Sequence, residues 1–115
     1  MHPQIVFALL LTATSAAFAQ SPAANQADRD AQPLQPPHPT YPTTAATAGV
    51  TGVCNVHLDV TAEGAPVNVK AHCTAPVFVE SAETAMRAVS FAPKMVAGKP
   101  APRQGVVYPI EYRLE

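Results

Sequence analysis

Two runs of alternating polar and apolar residues flank a glycine turn, and they constrain the fold more than any other feature of this sequence. Alternation with a period of two is the pattern of a strand that buries one face. The turn between the runs, from Thr61 to Pro66, holds Gly64, which can adopt the positive φ of a tight turn. We therefore predict a hairpin whose apolar face consists of Cys54, Val56, Leu58 and Val60 in the first strand and Val67, Val69, Ala71 and Cys73 in the second.

The two cysteines bear on the register of this hairpin. Residues directly opposed in antiparallel strands lie about 4.5–5.5 Å apart at Cα, which is within the reach of a disulfide. We therefore predict a disulfide between Cys54 and Cys73; the alternative is two buried free thiols. When the turn is centred after Glu63, apolar residues face apolar residues throughout, in the pairs Val60 with Val67, Leu58 with Val69, Val56 with Ala71, and Cys54 with Cys73.

Helical patterns lie on both sides of the hairpin. The stretch from Thr43 to Ala48 predicts a short helix that ends at Gly49. The stretch from Val79 to Ser90 predicts a longer helix, because apolar residues recur there at spacings of three and four. The residues that would cover the sheet are Phe78, Ala82, Ala85, Met86 and Val89.

The carboxy-terminal stretch predicts one more strand. A polar loop from Lys94 to Gly105 precedes a strand from Val106 to Leu114. Pro109 favours an edge position for this strand, with its missing N–H pointing outward. Its inward-facing residues would be Val106, Tyr108, Ile110, Tyr112 and Leu114. The fold class is therefore α+β: a three-stranded antiparallel or mixed sheet in the order 2-1-3, with the long helix on one face and a short amino-terminal helix.

The amino end divides into two predicted segments that precede the domain. Residues 1–19 have the short apolar core and the small residues Ala17 and Ala19 of a signal peptide, which predicts cleavage before Gln20. No Lys or Arg precedes Arg29, and the alternative is an uncleaved membrane anchor. Residues 20–40 are rich in proline and poor in bulky apolar residues, which predicts a disordered linker. The folded domain would then span 41–115.

Several functional classes are disfavoured by composition and spacing. A formal charge of -1 and an aromatic content of 6% disfavour nucleic-acid binding. Ser81 and Ser90 lie in no nucleophile motif, and the chain has no glycine-rich phosphate loop, so we expect neither an enzyme nor a cofactor. His57 and His72 fall on the outer face of the hairpin with only Asp59 nearby, so we expect solvent-facing histidines and no metal site.

The order of these motifs resembles the carboxy-terminal domain of TonB, over roughly Pro39 to Glu115. At one position of the shared helix pattern the residue type differs, because the family often has Trp where this chain has Val89. The shared features are Tyr41-Pro42, Ala46, Gly49, Gly52-Val53, the hairpin with Glu63-Gly64, then Phe78, Ala82, Ala85 and Val89, Phe91-Ala92-Pro93, Gly98-Lys99-Pro100, and Pro109-Ile110-Glu111-Tyr112-Arg113-Leu114.

This resemblance implies a periplasmic protein that binds the TonB box of an outer-membrane receptor by strand addition and takes part in TonB-dependent transport. The partner would be such a receptor or another envelope protein, with no nucleic acid. Membrane association is expected only if 1–19 stay uncleaved, which would give an inner-membrane anchored protein facing the periplasm. Homodimerisation through the edge stays open. The predicted peptide-binding edge consists of Val106, Val107, Tyr108, Ile110, Glu111, Tyr112 and Arg113.

A second hypothesis fits the same residues. The chain would be a secreted binding or structural module of the envelope that has the TonB-like fold and no energy coupling. The amino end separates the two hypotheses, because a true membrane anchor is what couples TonB proper to its motor, whereas this chain is predicted to begin with a cleavable signal.

Overall fold

A three-stranded antiparallel sheet forms the centre of the fold in the computed structural model, which describes residues 28–115. Its strands are β2 (Gly52–Val60), β3 (Pro66–Cys73) and β7 (Arg103–Tyr112), in the order β3-β2-β7. The predicted α+β class and the 2-1-3 order are therefore correct, and all pairing within this sheet is antiparallel. The predicted signal peptide and the linker up to residue 27 lie outside the described residues.

The longer of two helices covers one face of this sheet, and the shorter one precedes the sheet in the chain. α1 (Thr43–Ala48) ends at Gly49, which has a φ of 70°. A 3-10 turn (Pro76–Phe78) leads into α2 (Val79–Arg87). The sequence predicted that the long helix would run to Ser90. It ends earlier because the bonds of its last turn tighten: Ala88 N donates to the Ala85 carbonyl and Val89 N to the Met86 carbonyl, each three residues back. The chain then leaves the helix, and Phe91 N donates to the Gly64 carbonyl.

The core lies between α2 and the sheet. The predicted helix face is buried in full, since Phe78, Ala82, Ala85, Met86 and Val89 are at most 7% exposed. The predicted inward position of Leu114 is wrong, because β7 ends at Tyr112 and Leu114 lies beyond it, 41% exposed. Buried sheet residues meet the helix with the alternation expected of a half-buried sheet; they are Cys54, Val56, Leu58, Val60, Ala71, Ile110 and Tyr112.

A bulge divides the β2–β3 hairpin into two registers. Cys54 pairs with Cys73 as predicted, and the structure contains a disulfide between them. Beyond His57 the register shifts, so that Asp59 lies opposite Val67 and the predicted pairing of Val60 with Val67 is wrong. The shift occurs at Asn68, which has a φ of 55° and donates from Nδ2 to Asp59. Asn tolerates this left-handed conformation, and the extra residue turns Val67 outward.

The predicted polar loop between Lys94 and Gly105 contains a second hairpin. β5 (Lys94–Val96) pairs with β6 (Lys99–Ala101), and β7 begins at Arg103, earlier than predicted. The two residues between β5 and β6, Ala97 and Gly98, both have positive φ. Such a pair makes the two-residue turn whose twist matches a hairpin.

The chain from residue 28 lies on the domain, where the sequence predicted a disordered linker. β1 (Gln32–Pro33) pairs antiparallel with β4 (Phe91–Ala92), and Arg29 forms a further bridge with Met95. These contacts are made by backbone groups. Low apolar content predicts that a segment lacks a core of its own, but it does not exclude pairing of the backbone with a neighbouring edge.

Candidate peptide-binding edge

The three-stranded sheet has two outer edges, and they differ. On the β3 edge the backbone N–H of Ala71 points away from β2 and donates to Oε2 of Glu83 in α2, at 2.9 Å. Arg87, one turn later in the helix, holds the other oxygen of Glu83 at 3.3 Å. A side chain of the helix therefore covers a donor at the centre of the β3 edge.

The β7 edge offers its backbone groups to solvent. Val53 bonds toward Thr74 at the β3 side: its N–H donates to Thr74 Oγ1, and its carbonyl accepts from Thr74 N. Because bonding direction alternates along an antiparallel strand, Gly52, Cys54, Val56 and Leu58 bond toward β7. The β7 residues opposite those four are Tyr112, Ile110, Tyr108 and Val106. The remaining residues of this stretch, Val107, Pro109 and Glu111, therefore point their backbone groups outward.

Pro109 interrupts this row of outward groups. It lies opposite Asn55, and its ring nitrogen, which carries no hydrogen, is on the outer side. The missing donor thus points outward, as the sequence predicted. The free edge consists of two donors, at Val107 and Glu111, and three acceptors, at Val107, Pro109 and Glu111. No strand of the described chain, 28–115, pairs with this side of β7.

The side chains around the edge differ between the two faces of the sheet. On the open face, Val107 is 50% exposed and Glu111 pairs with Arg113 at 3.1 Å. On the helical face, Val106 and Tyr108 are half-buried and pack against the core. A strand added beside β7 would therefore find apolar neighbours on both faces near Val107 and a charged pair at its far end.

The residues predicted for peptide binding fall into three groups. Val107 and Glu111 carry the outward donors and acceptors. Val106 and Tyr108 have their backbone bonded to β2 and a half-buried side chain beside the edge, while Ile110 and Tyr112 have buried side chains as well. Arg113 follows the end of the strand and reaches the edge only through its pair with Glu111.

An aromatic cluster anchors the end of β7. The Tyr112 ring stacks on Phe78 at 4.2 Å between centroids, and Tyr41 meets both rings edge-on at 5.6 Å. Ser81 Oγ lies 2.6 Å from the Thr40 carbonyl and 2.9 Å from the Tyr112 hydroxyl. Because a carbonyl only accepts, Ser81 donates to Thr40 and accepts from Tyr112. Burial raises the pKa of the Tyr112 hydroxyl.

Asp59 holds the opposite end of β7. Its Oδ2 accepts from the Asn68 amide and its Oδ1 accepts from Gly105 N, both at 2.9 Å. These bonds hold the pKa of the Asp59 carboxyl below its usual value, with the bond from Asn68 as the larger cause. The sequence analysis placed Asp59 on the outer face but missed this role, because the role depends on the bulge at Asn68.

The other polar cluster on the sheet is the histidine pair. The His57 and His72 rings lie edge to face with centroids 4.9 Å apart, as aromatic side chains of diagonal strand neighbours can reach one another. Within residues 28–115 no group of three or more His, Cys, Asp or Glu side chains is placed to hold a metal ion. In the same range no helix is long and apolar enough to cross a membrane.

Comparisons with known proteins agree on one family. Residues 37–114 match the family model for the Gram-negative bacterial TonB protein C-terminal region. The fold is similar to the solution NMR structure of the Pseudomonas aeruginosa TonB C-terminal domain, with a TM-score of 0.63 and 24% sequence identity over 76% of this chain and 90% of that one. No curated protein matches the chain significantly.

Proposed function

The chain belongs to the family of TonB C-terminal domains, and we propose that it binds an extended peptide of an outer-membrane receptor along the free edge of β7. Membership of this family supports a TonB-like, non-catalytic role in TonB-dependent transport. The single observation that carries the finer proposal is the difference between the two sheet edges: Glu83 takes up an outward donor of β3, whereas no strand of residues 28–115 pairs with the outward groups of β7. An open edge takes up an extended segment through main-chain hydrogen bonds.

The geometry of the edge sets what the bound segment must provide. Its backbone N–H groups would meet the carbonyls of Val107, Pro109 and Glu111, and its carbonyls would meet the donors of Val107 and Glu111. One carbonyl of the bound segment would face Pro109 and find no donor there. We therefore expect two bonded stretches separated by a gap, and modest affinity.

Substitution at Pro109 tests this proposal. In Pro109→Ala an outward donor is restored, and one added hydrogen bond of about 0.5–1.5 kcal/mol should lower the Kd for a TonB-box peptide about 2- to 12-fold. The matched control is Val107→Pro, which removes an outward donor that has no partner within the sheet and should weaken binding by a similar factor. Calorimetric titration with the same peptide measures both.

Chemical-shift mapping identifies the surface that binds. Addition of the peptide should shift the amides of Val107 and Glu111 most. Shifts confined to the hairpin turn around Gly64, with β7 unaffected, would contradict the proposal. Equal affinity of the wild-type chain, Pro109→Ala and Val107→Pro would contradict it as well.

We place the domain in the periplasm, where its receptor peptide would be accessible. Sequencing of the mature amino terminus tests the associated prediction of cleavage before Gln20. A start at Gln20, with the protein released by osmotic shock, would favour an envelope module without energy coupling. Retention of 1–19 with the inner-membrane fraction would favour a component that is coupled to a motor.

A further inference from the structure

The segment before the domain pairs with it at two places, on either side of Ala31, whose own N–H donates to Asp30 Oδ1. Residues 28–34, which we call the strap, run antiparallel to 90–97, with Arg29 opposite Met95 and Gln32 opposite Ala92. Arg29 and Met95 exchange two backbone hydrogen bonds of 3.0 and 2.8 Å, and Leu34 N donates to the Ser90 carbonyl at 2.8 Å. The strap therefore occupies an edge that its partner segment would otherwise expose.

The strap adds little to the hydrophobic core. Ala31 is the strap residue that packs against the core cluster, whereas Leu34 is 64% exposed. The strap is held mainly by its backbone bonds and by two carboxylates. Attachments of this kind, with few buried apolar contacts, belong to the regions of a protein that open locally before the whole chain unfolds.

The β5–β6 hairpin depends on the strap. β5 pairs with β6 on one side, and on its other side Met95 pairs with Arg29 of the strap. At the hairpin tip Ala97 N donates to Asp28 Oδ1 at 2.8 Å. A lone two-stranded hairpin is marginal in water and needs contacts with further elements. Loss of the strap would remove the Arg29–Met95 bridge and the bond to Asp28 from this hairpin.

One ion pair connects the strap with the edge strand. Asp30 Oδ1 accepts from Nε of Arg103 at 2.7 Å, and Arg103 is the first residue of β7. The bond from Arg103 is the main reason that the pKa of the Asp30 carboxyl lies below its usual value. The strap thus meets β7 next to the end of the proposed peptide-binding edge.

We propose that the strap and the β5–β6 hairpin form one detachable unit, which opens while the three-stranded sheet and α2 stay folded. A pull on the chain from before residue 28 enters the domain through the strap and opens this unit first. Opening frees the start of β7 and uncovers the backbone edge of 91–96. The consequence for a bound peptide rests on the proposed function, whereas the existence of the unit does not.

Hydrogen exchange on the free full-length chain tests the proposal. The double variant Asp28→Asn and Asp30→Asn weakens both carboxylate attachments without altering the sheet. Loss of two charge-assisted bonds should speed exchange at Arg29, Leu34, Met95 and Lys99 together, by roughly tenfold or more. Exchange at Val56 and Leu58 in β2 should not change. Glu111→Gln, which breaks an exposed pair away from the strap, is the matched control and should leave the strap amides as they are.

Three outcomes would overturn the proposal. Faster exchange in the strap with Lys99 unchanged would show that the hairpin does not belong to the unit. A matching rise at Val56 and Leu58 would show that the unit opens only with the whole domain. Unchanged exchange throughout would show that the carboxylates do not hold the strap. Since no peptide is present, failure of peptide binding at β7 would leave this result standing.

Discussion

At the scale of single residues, two side chains hold the ends of the free edge strand. Asp59 binds Gly105 near the start of β7, and Tyr112 lies at its end, where its ring stacks on Phe78 and its hydroxyl donates to Ser81. Neither side chain is offered to a bound peptide. Their role is to keep β7 straight and in place, so that its outward backbone groups stay aligned.

The variant Tyr112→Phe tests the hydroxyl. It keeps the stacked ring and removes one hydrogen bond, so the free energy of unfolding should fall by about 1 kcal/mol. Urea denaturation at neutral pH measures this loss. An unchanged stability would show that the bond to Ser81 contributes nothing net.

The Tyr112 hydroxyl also predicts that the stability of the domain falls at alkaline pH. Folding raises the pKa of Tyr112 above its ordinary 10.0, so the folded state prefers the neutral hydroxyl. This contribution is fully present below pH 10 and is lost as the pH rises through the raised pKa. We expect the wild-type stability to fall over that range more than the stability of Tyr112→Phe. Parallel curves for the two proteins would contradict this.

At the scale of elements, the turn of the β2–β3 hairpin is fixed from outside by the segment that follows α2. The Gly64 carbonyl accepts from Phe91 N at 2.9 Å, and a Cβ at Gly64 would lie 2.1 Å from the Phe91 carbonyl oxygen. Gly64 also has a φ of 89°. The position therefore requires glycine for its backbone conformation and for the close approach of a second chain segment.

The variant Gly64→Ala should be strongly destabilising. The strain of a positive φ, about 1–2 kcal/mol, adds to displacement of the backbone at Phe91. The control is Gly98→Ala, where φ is 79° but no atom lies within 4 Å of the added Cβ, so only the conformational strain applies. Thermal unfolding should show a larger loss for Gly64→Ala. Equal losses would mean that the contact with Phe91 does not matter.

The disulfide stabilises the same hairpin at its other end. Cys54 and Cys73 are 19 residues apart, so removal of the crosslink should lower the free energy of unfolding by roughly 3 kcal/mol. Cys54→Ala with Cys73→Ala tests this in urea. Cys54 is fully buried, and the variant adds the effect of a small cavity. The control is the wild-type chain in reductant, which should lose stability without that cavity. A reduced chain as stable as the oxidised one would contradict the prediction.

The elements that could be predicted from the sequence are those whose signal is local. The alternation of polar and apolar residues predicted β2 and the half of β3 that ends at Cys73. Apolar residues at spacings of three and four predicted the buried face of α2. The bulge was missed because a single Asn in the left-handed region does not interrupt the alternating pattern around it. The strap was missed because backbone pairing between distant segments carries no signal in hydrophobicity.

Part of the candidate edge could also be predicted from a local signal. Pro109 alone indicates an edge strand, and it also indicates that the missing N–H points outward. The assignment of outward groups to Val107 and Glu111 required the bonding phase of β2, which is set by Thr74. Alternation of side chains gives the faces of a strand but not which neighbour its backbone groups meet.

At the scale of the whole molecule, one cluster connects the residues around Tyr41, the 3-10 turn before α2 and the end of β7. Phe78 has no exposed surface and contacts both Tyr41 and Tyr112. It therefore joins three parts of the chain that are distant in sequence. Packing at this position determines whether the edge strand, the helix and the residues around Tyr41 form one cooperative domain.

The variant Phe78→Ala should lower the free energy of unfolding by about 3–5 kcal/mol, because it leaves a cavity among the aromatic rings. The control is Val77→Ala, one residue earlier and 38% exposed, which should change stability by roughly 0.5 kcal/mol or less. Denaturant unfolding followed by circular dichroism measures both. Similar losses for the two variants would place Phe78 outside the cooperative core.

The unlike edges of the sheet also limit how copies of this chain can associate. Glu83 takes up the outward donor of β3 at Ala71, so a strand added on that side would have to displace a carboxylate. Two copies that join through β7 would use the same rim that the proposed peptide needs. Pairing of two copies and binding of a peptide would therefore compete, and an occupied rim is a poorer template for fibril formation.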